Sequence, residues 1–142
     1  MIVGLRDTMG IPVVMTLTIL GAETSLGDPA LGGPIVKAFN YGCLKAGPTD
    51  TPWGALSDGT VEIRDVKWFS FPSPEVGMNA WGLYIAHGPT WNPGYYLESY
   101  PSWEDIACVY YGSGVQDYSV YLRHLEQLAA KFSSKLKVGG YE

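Results

Sequence analysis

The feature that most constrains this chain is a run of twelve uncharged residues, Ile11 to Ala22, followed at once by Glu23. Such a run must be buried, yet it is too short to span a bilayer as a helix, which takes about 20 apolar residues. Its secondary structure is ambiguous from the residues alone. Ile11, Val13, Met15, Leu17 and Ile19 alternate, and six of residues 11–20 are β-branched, which favours a strand. Val14 and Leu20 are apolar as well, and a segment apolar on all sides suits a buried helix equally, with Pro12 in its first turn. In either conformation Glu23 is a lone acid at the end of a segment that avoids water. Ionising it there is costly, so its pKa should rise, as a general acid working near neutral pH requires. The competing interpretation is a solvated glutamate at the start of a loop carrying Gly27, Asp28-Pro29 and Gly32-Gly33.

The chain has 142 residues, 46% of them apolar and 16% charged, which fits one domain with a real core and excludes charge-driven disorder. Nine Lys and Arg face fourteen Asp and Glu, a net charge of −5. No broad positive field exists, so nucleic acid is not an expected partner. Cys43 and Cys108 have no CxxC neighbour; they either pair or act as small buried hydrophobes. His87 and His124 are the only histidines and lack ligand spacing, so neither a metal nor another cofactor is expected. There is no GxSxG elbow, no phosphate loop and no GxGxxG. Arg6 and Asp7 cancel before the apolar run, and no small-residue cleavage site follows, so no signal peptide is read and residues 1–10 are expected as an N-terminal arm.

Beyond the first loop, Pro34 opens a short helix to about Phe39, and 46–59 reads as loop. Residues 60–71 are β-rich. Val61 and Ile63 share one phase and Val66 and Trp68 the other, so a turn or bulge near Arg64-Asp65 is expected within a small hairpin or bent strand. Ser73-Pro74-Glu75 starts a helix over 74–86, with His87 at its end. Residues 87–101 read mostly as loop. Ser102 and Asp105 cap a helix over 102–111, which Gly112-Ser113-Gly114 breaks. Tyr121, Leu125, Leu128, Ala129, Phe132 and Leu136 then form one apolar stripe of a long helix ending at Gly139-Gly140, with His124 solvated beside it.

Residues 68–122 contain no Lys or Arg but hold fourteen of the nineteen aromatics, twelve of them Tyr or Trp. Rings with an apolar face and a polar tip suit core contacts, a ligand cleft or a protein-docking surface. Sugars in particular present C–H faces that stack on such rings. The β element also carries Glu62 and Asp65, and a second carboxylate across a cleft is the usual partner in glycoside hydrolysis; exposure on the outer face of a hairpin is the plainer interpretation of both.

Four segments carry a family resemblance. The run from Ile11 to Gly27, through Leu20-Gly21-Ala22-Glu23-Thr24-Ser25, resembles the catalytic helix of the bacterial cell-wall glucosaminidases, including the muramidase domains of flagellar peptidoglycan hydrolases. Asn40-Tyr41-Gly42-Cys43-Leu44-Lys45 looks like that family's Asn-(Leu/Tyr)-Phe-Gly-Ile-Lys motif in a different residue order. Val66 to Ser73 is similar to its β strand and following turn, and Ala107 to Tyr118 to its closing segment. The resemblance implies a single α+β, lysozyme-like domain over 1–142, mostly helical with a small antiparallel β element beside a cleft, and it implies a helix for residues 11–22. It further implies Glu23 as general acid, Glu62 as the β-lobe acid and Tyr118 as the cleft tyrosine. Trp68, Trp91, Tyr95, Asn40 and Tyr41 are then candidate glycan-binding residues.

The resulting expectation is a peptidoglycan hydrolase of glucosaminidase or muramidase type, acting on the glycan strand at the bacterial cell wall, whether periplasmic, extracellular or phage-delivered, with room for a protein partner in delivery. Two alternatives share the same residues: a non-catalytic glycan-binding module on that scaffold, and a structural or assembly protein docking through its aromatic loops.

Overall fold

The computed structural model of the chain describes residues 1–25, 33–87, 102–111 and 118–139. In chain order the elements are α1 (Ile2–Met9), α2 (Val13–Thr24), α3 (Pro34–Lys37), a 3-10 turn (Gly54–Leu56), β1 (Gly59–Ile63), β2 (Val66–Ser70), α4 (Pro74–His87), α5 (Trp103–Tyr111) and α6 (Ser119–Gly139). Helices and one two-stranded antiparallel sheet make this an α+β arrangement.

The ambiguous apolar run is α2. Pro12 precedes it as the N-cap, and Ser25 ends it in the left-handed region with φ 50°. Val13, Met15, Thr16, Thr18, Ile19 and Leu20 are all buried, so the helix is enclosed on most of its circumference. A helix pairs most backbone groups of such a segment within itself, leaving only those of its ends, whereas a buried strand needs partner strands on its edges, and this outweighs β-branched propensity. α2 packs against α1 on one side and α6 on another.

Residues 2–9, expected as an arm, form α1. Leu5 is buried, and Gly10 closes the helix in the left-handed region, its N–H bonding the Arg6 carbonyl at 3.0 Å. Gly82 of α4 lets α1 approach: a Cβ there would stand 2.7 Å from Leu5 Cδ2 and 2.9 Å from Met9 Sδ.

β1 and β2 pair in the register Val61–Trp68, Glu62–Lys67 and Ile63–Val66. Arg64 and Asp65 form the two-residue turn, both at positive φ (52° and 63°), the twist that tight hairpins favour. The change of phase between the strands is this turn, which returns Val66 and Trp68 to the face of Val61 and Ile63. On its other edge β2 holds the segment 44–46: the Phe69 N–H bonds the Leu44 carbonyl at 3.1 Å and the Ala46 N–H bonds the Lys67 carbonyl at 3.0 Å.

The starts of α4 and α5 are capped locally. Ser73 Oγ accepts the Val76 N–H at 3.2 Å. Ser102 and Asp105 cap reciprocally, Ser102 Oγ accepting the Asp105 N–H at 3.2 Å and Asp105 Oδ2 the Ser102 N–H at 3.0 Å. α4 begins against the end of α3, where a Cβ on Gly77 would overlap the Phe39 carbonyl. Gly77→Ala is therefore expected to destabilise the protein by about 2 kcal/mol or more, read as a lower urea midpoint. The helix-propensity gain of Ala, about 1 kcal/mol, is outweighed because the obstacle is backbone and cannot rotate aside.

The core gathers Ile11, Ile19, Leu20, Phe69, Trp81 and Leu125, so it joins α2, β2, α4 and α6. Trp53 and Tyr84 meet edge to face at 5.2 Å between ring centres. Among the described residues no helix is long and apolar enough to cross a membrane.

Candidate active site

Three parts of the chain converge on Glu23, which occupies the last turn of α2 and is half-buried. The first is α2 itself, whose apolar flanks hold the acid at the margin of the core. The second is the turn over residues 40–44. Asn40 anchors it: Nδ2 donates to the carbonyls of Leu44 and Phe69, both at 2.9 Å, and Oδ1 accepts the Leu44 N–H at 2.8 Å. Gly42 lies against the Trp81 ring, where a Cβ would overlap the indole. The turn docks on α2 through Thr24 Oγ1, which donates to the Tyr41 carbonyl at 3.0 Å, and through Cys43 Sγ, 3.8 Å from the Glu23 carbonyl oxygen. Cys43 takes a left-handed φ of 52° within this turn. The third part is α6, from which the Tyr121 hydroxyl donates to Glu23 Oε1.

Burial raises the pKa of Glu23 above its ordinary value, while hydrogen bonds from Tyr121 and Cys43 to the carboxylate act in the opposite direction. The net direction is upward. Burial also pushes up the Tyr121 hydroxyl and the Cys43 thiol, and the neighbouring Glu23 charge adds to both shifts. Both therefore remain protonated donors near neutral pH. The cluster is a carboxyl whose pKa burial raises, with a tyrosine hydroxyl on one oxygen and a thiol on the backbone carbonyl of the same residue, an arrangement suited to giving a proton to a leaving group and taking one back from water.

The donors have a measurable consequence. Tyr121→Phe removes a bond that favours the charged form, so the Glu23 pKa should rise further. The titration of the Glu23 carboxyl, followed by NMR of its side-chain carbonyl carbon, is thus expected to move to higher pH in the variant. An unmoved titration would show that Tyr121 does not act on the acid.

The other expected site residues fall in different places. Glu62 is exposed on β1, opposite Lys67, and Asp65 is exposed in the hairpin turn. Trp68 is half-buried on β2. Tyr41 is half-buried, its backbone carbonyl on Thr24 and its hydroxyl pKa raised by burial and then by Glu75. Asn40, expected to bind glycan, is 1% exposed with both amide hydrogens and its oxygen committed to backbone, so it is a structural residue. Tyr118, which the resemblance assigns to the cleft, donates to Glu104 Oε1 at 3.5 Å. The tyrosine that reaches Glu23 lies one helical turn later. Trp91 and Tyr95 lie outside the described residues. Cys43 and Cys108 are both free thiols.

Sequence reasoning passed over Tyr121 and Cys43. The signal for Tyr121 was present, since it carries the only hydroxyl on the apolar stripe of α6. Cys43 had no comparable signal, because its approach depends on the turn geometry. An open pocket of about 270 Å³ is lined by residues of α1 and α4 such as Leu5, Thr8, Glu75 and Met78, and Glu23 is not among its walls. Among the described residues no three His, Cys, Asp or Glu side chains gather to hold a metal ion. Comparison of the chain with protein-family models, curated proteins and solved structures finds no match.

Proposed function

We propose that this protein is a peptidoglycan hydrolase that cleaves a glycosidic bond of the cell-wall glycan strand, with Glu23 as the general acid. The observation that carries the reading is the Glu23 cluster: a carboxyl with raised pKa in the last turn of α2, held by the Tyr121 hydroxyl, with the Cys43 thiol on the Glu23 backbone carbonyl. Glycoside cleavage needs a carboxylic acid that keeps its proton at working pH and delivers it to the glycosidic oxygen as the bond breaks. Tyr121 is a positioning residue in this scheme, fixing the direction of the carboxyl. A helical body with a small hairpin is compatible with a lysozyme-like arrangement, in which the hairpin borders the groove that takes the glycan.

Glu62 on that hairpin is the candidate for the second carboxylate role, activating water or stabilising the oxocarbenium-like state. The acetamido group of the substrate can serve instead, and the exposure of Glu62 favours this division of labour. Trp68, and Trp91 and Tyr95 by their residue type, are the candidate rings for sugar stacking. The test is clearance of purified walls, with mass spectrometry of what is released. Soluble fragments with new reducing ends at one sugar type are expected, and intact glycan after prolonged incubation overturns the reading. Fragment binding without such products would instead favour the glycan-binding module.

A further inference from the structure

Three strand segments place one row of side chains on a single face of the hairpin. Val61 of β1 stands opposite Trp68 of β2, and Trp68 stands opposite Lys45 through an antiparallel bridge on its other side. Directly paired residues project from the same side of a sheet, so Val61, Trp68 and Lys45 lie in line. Val61 and Trp68 are half-buried and Lys45 is exposed. Lys45 Nζ stands 6.0 Å from the centre of the Trp68 ring, and among the described residues no carboxylate forms an ion pair with it. Lys45 is also two residues beyond Cys43, which touches Glu23. Two residues of extended chain cover at most about 7 Å, so this row begins close to the candidate acid.

We propose that Lys45 and Trp68 form a subsite for a carboxylate-bearing sugar of the glycan strand. The inference rests on the hydrolase reading only for the presence of a glycan on this face. Trp68 offers a ring face to the C–H side of a sugar, and Lys45 offers a cation at the edge of that face. An exposed ammonium 6.0 Å from a ring centre, at the outer limit of a cation–ring contact, is held weakly, so it is free to swing to an arriving carboxylate. The charge of the whole molecule gives this local cation its importance. At −5 the chain repels an anionic polymer at long range, so selection of a carboxylated sugar must come from a cation placed at the contact. Within the strand the carboxylate comes from the lactyl group of an unsubstituted muramic acid or from the stem peptide.

Isothermal titration in the Glu23→Gln background, where no ligand is consumed, tests this with three soluble tetrasaccharides. One is neutral N-acetylglucosamine, one alternates with muramic acid without peptide, and one carries stem peptides. The expected result is preference for a carboxylated ligand by about tenfold. That preference is abolished by Lys45→Gln and retained by Lys45→Arg, while affinity for the neutral ligand is unchanged. Trp68→Ala should weaken all three ligands. Preference for the peptide-free ligand assigns the lactyl carboxylate, and preference for only the peptide-bearing one assigns the stem. Equal affinities, or a preference that survives Lys45→Gln, overturn the subsite. Absence of wall clearance by the parent protein, with the binding preference intact, would sink the hydrolase reading alone.

Discussion

Glu23→Gln is expected to reduce the release of glycan fragments from purified walls by about a thousandfold, within the range that general acid catalysis contributes. The amide keeps the size of the side chain and can still accept the Tyr121 hydroxyl, so the loss reads the proton and not the packing. The same variant should be more stable than the parent at neutral pH. An acid whose pKa is raised on folding binds more protons in the native state than in the unfolded one. Stability therefore falls as pH rises from the ordinary carboxylate range through the raised pKa of Glu23, and it levels off above. Gln has no proton to lose and escapes that fall. Thermal melts at neutral and acidic pH should show the variant ahead at the first and level with the parent at the second. A variant of unchanged activity would remove Glu23 from the mechanism, whatever its stability.

Trp81→Ala carries the largest expected cost in stability. The ring is 0% exposed at the centre of α4, and truncation of a buried tryptophan costs about 3–5 kcal/mol. At roughly 3 °C per kcal/mol for a chain of this size, the melting temperature should fall by about 10 °C. The variant has a second effect, because the Trp81 ring is the wall against which Gly42 rests. Without it the 40–44 turn loses its backing, and Cys43 loses its fixed approach to Glu23. Activity measured well below the melting point should therefore also fall. Trp81→Phe should recover much of the stability while leaving part of the gap behind Gly42. Full activity in a folded Trp81→Ala protein would separate that turn from the acid's function.

Much of the local structure is legible in the residues. The hydroxyl caps at Ser73 and Ser102 act within one turn of their own helix, and the apolar stripe of α6 repeats at helical spacing, so both can be read without knowing the rest of the fold. The turn at Arg64-Asp65 shows as a change of phase. α1 was not legible: its N-cap makes no side-chain bond, and it is held by α2 and α4, so its signal lies in the small residue at position 82 rather than in its own pattern. Within the site, Glu23 was legible because charge is absent for twelve residues before it. Asn40 was misread, since a buried amide that organises backbone and an exposed amide that binds sugar look alike in sequence. Tyr118 immediately precedes α6 and Tyr121 lies in its first turn, and a resemblance of segments cannot resolve so small an offset.

The direction of α2 adds a further effect on the acid. Peptide dipoles along a helix sum to roughly half a negative elementary charge at its final carbonyls. Glu23 lies at that pole, and no Lys or Arg stands in the last turn to offset it. Desolvation weakens wherever water reaches the carboxyl. Chain polarity does not change with hydration, so part of the upward shift persists when the carboxyl is wetted.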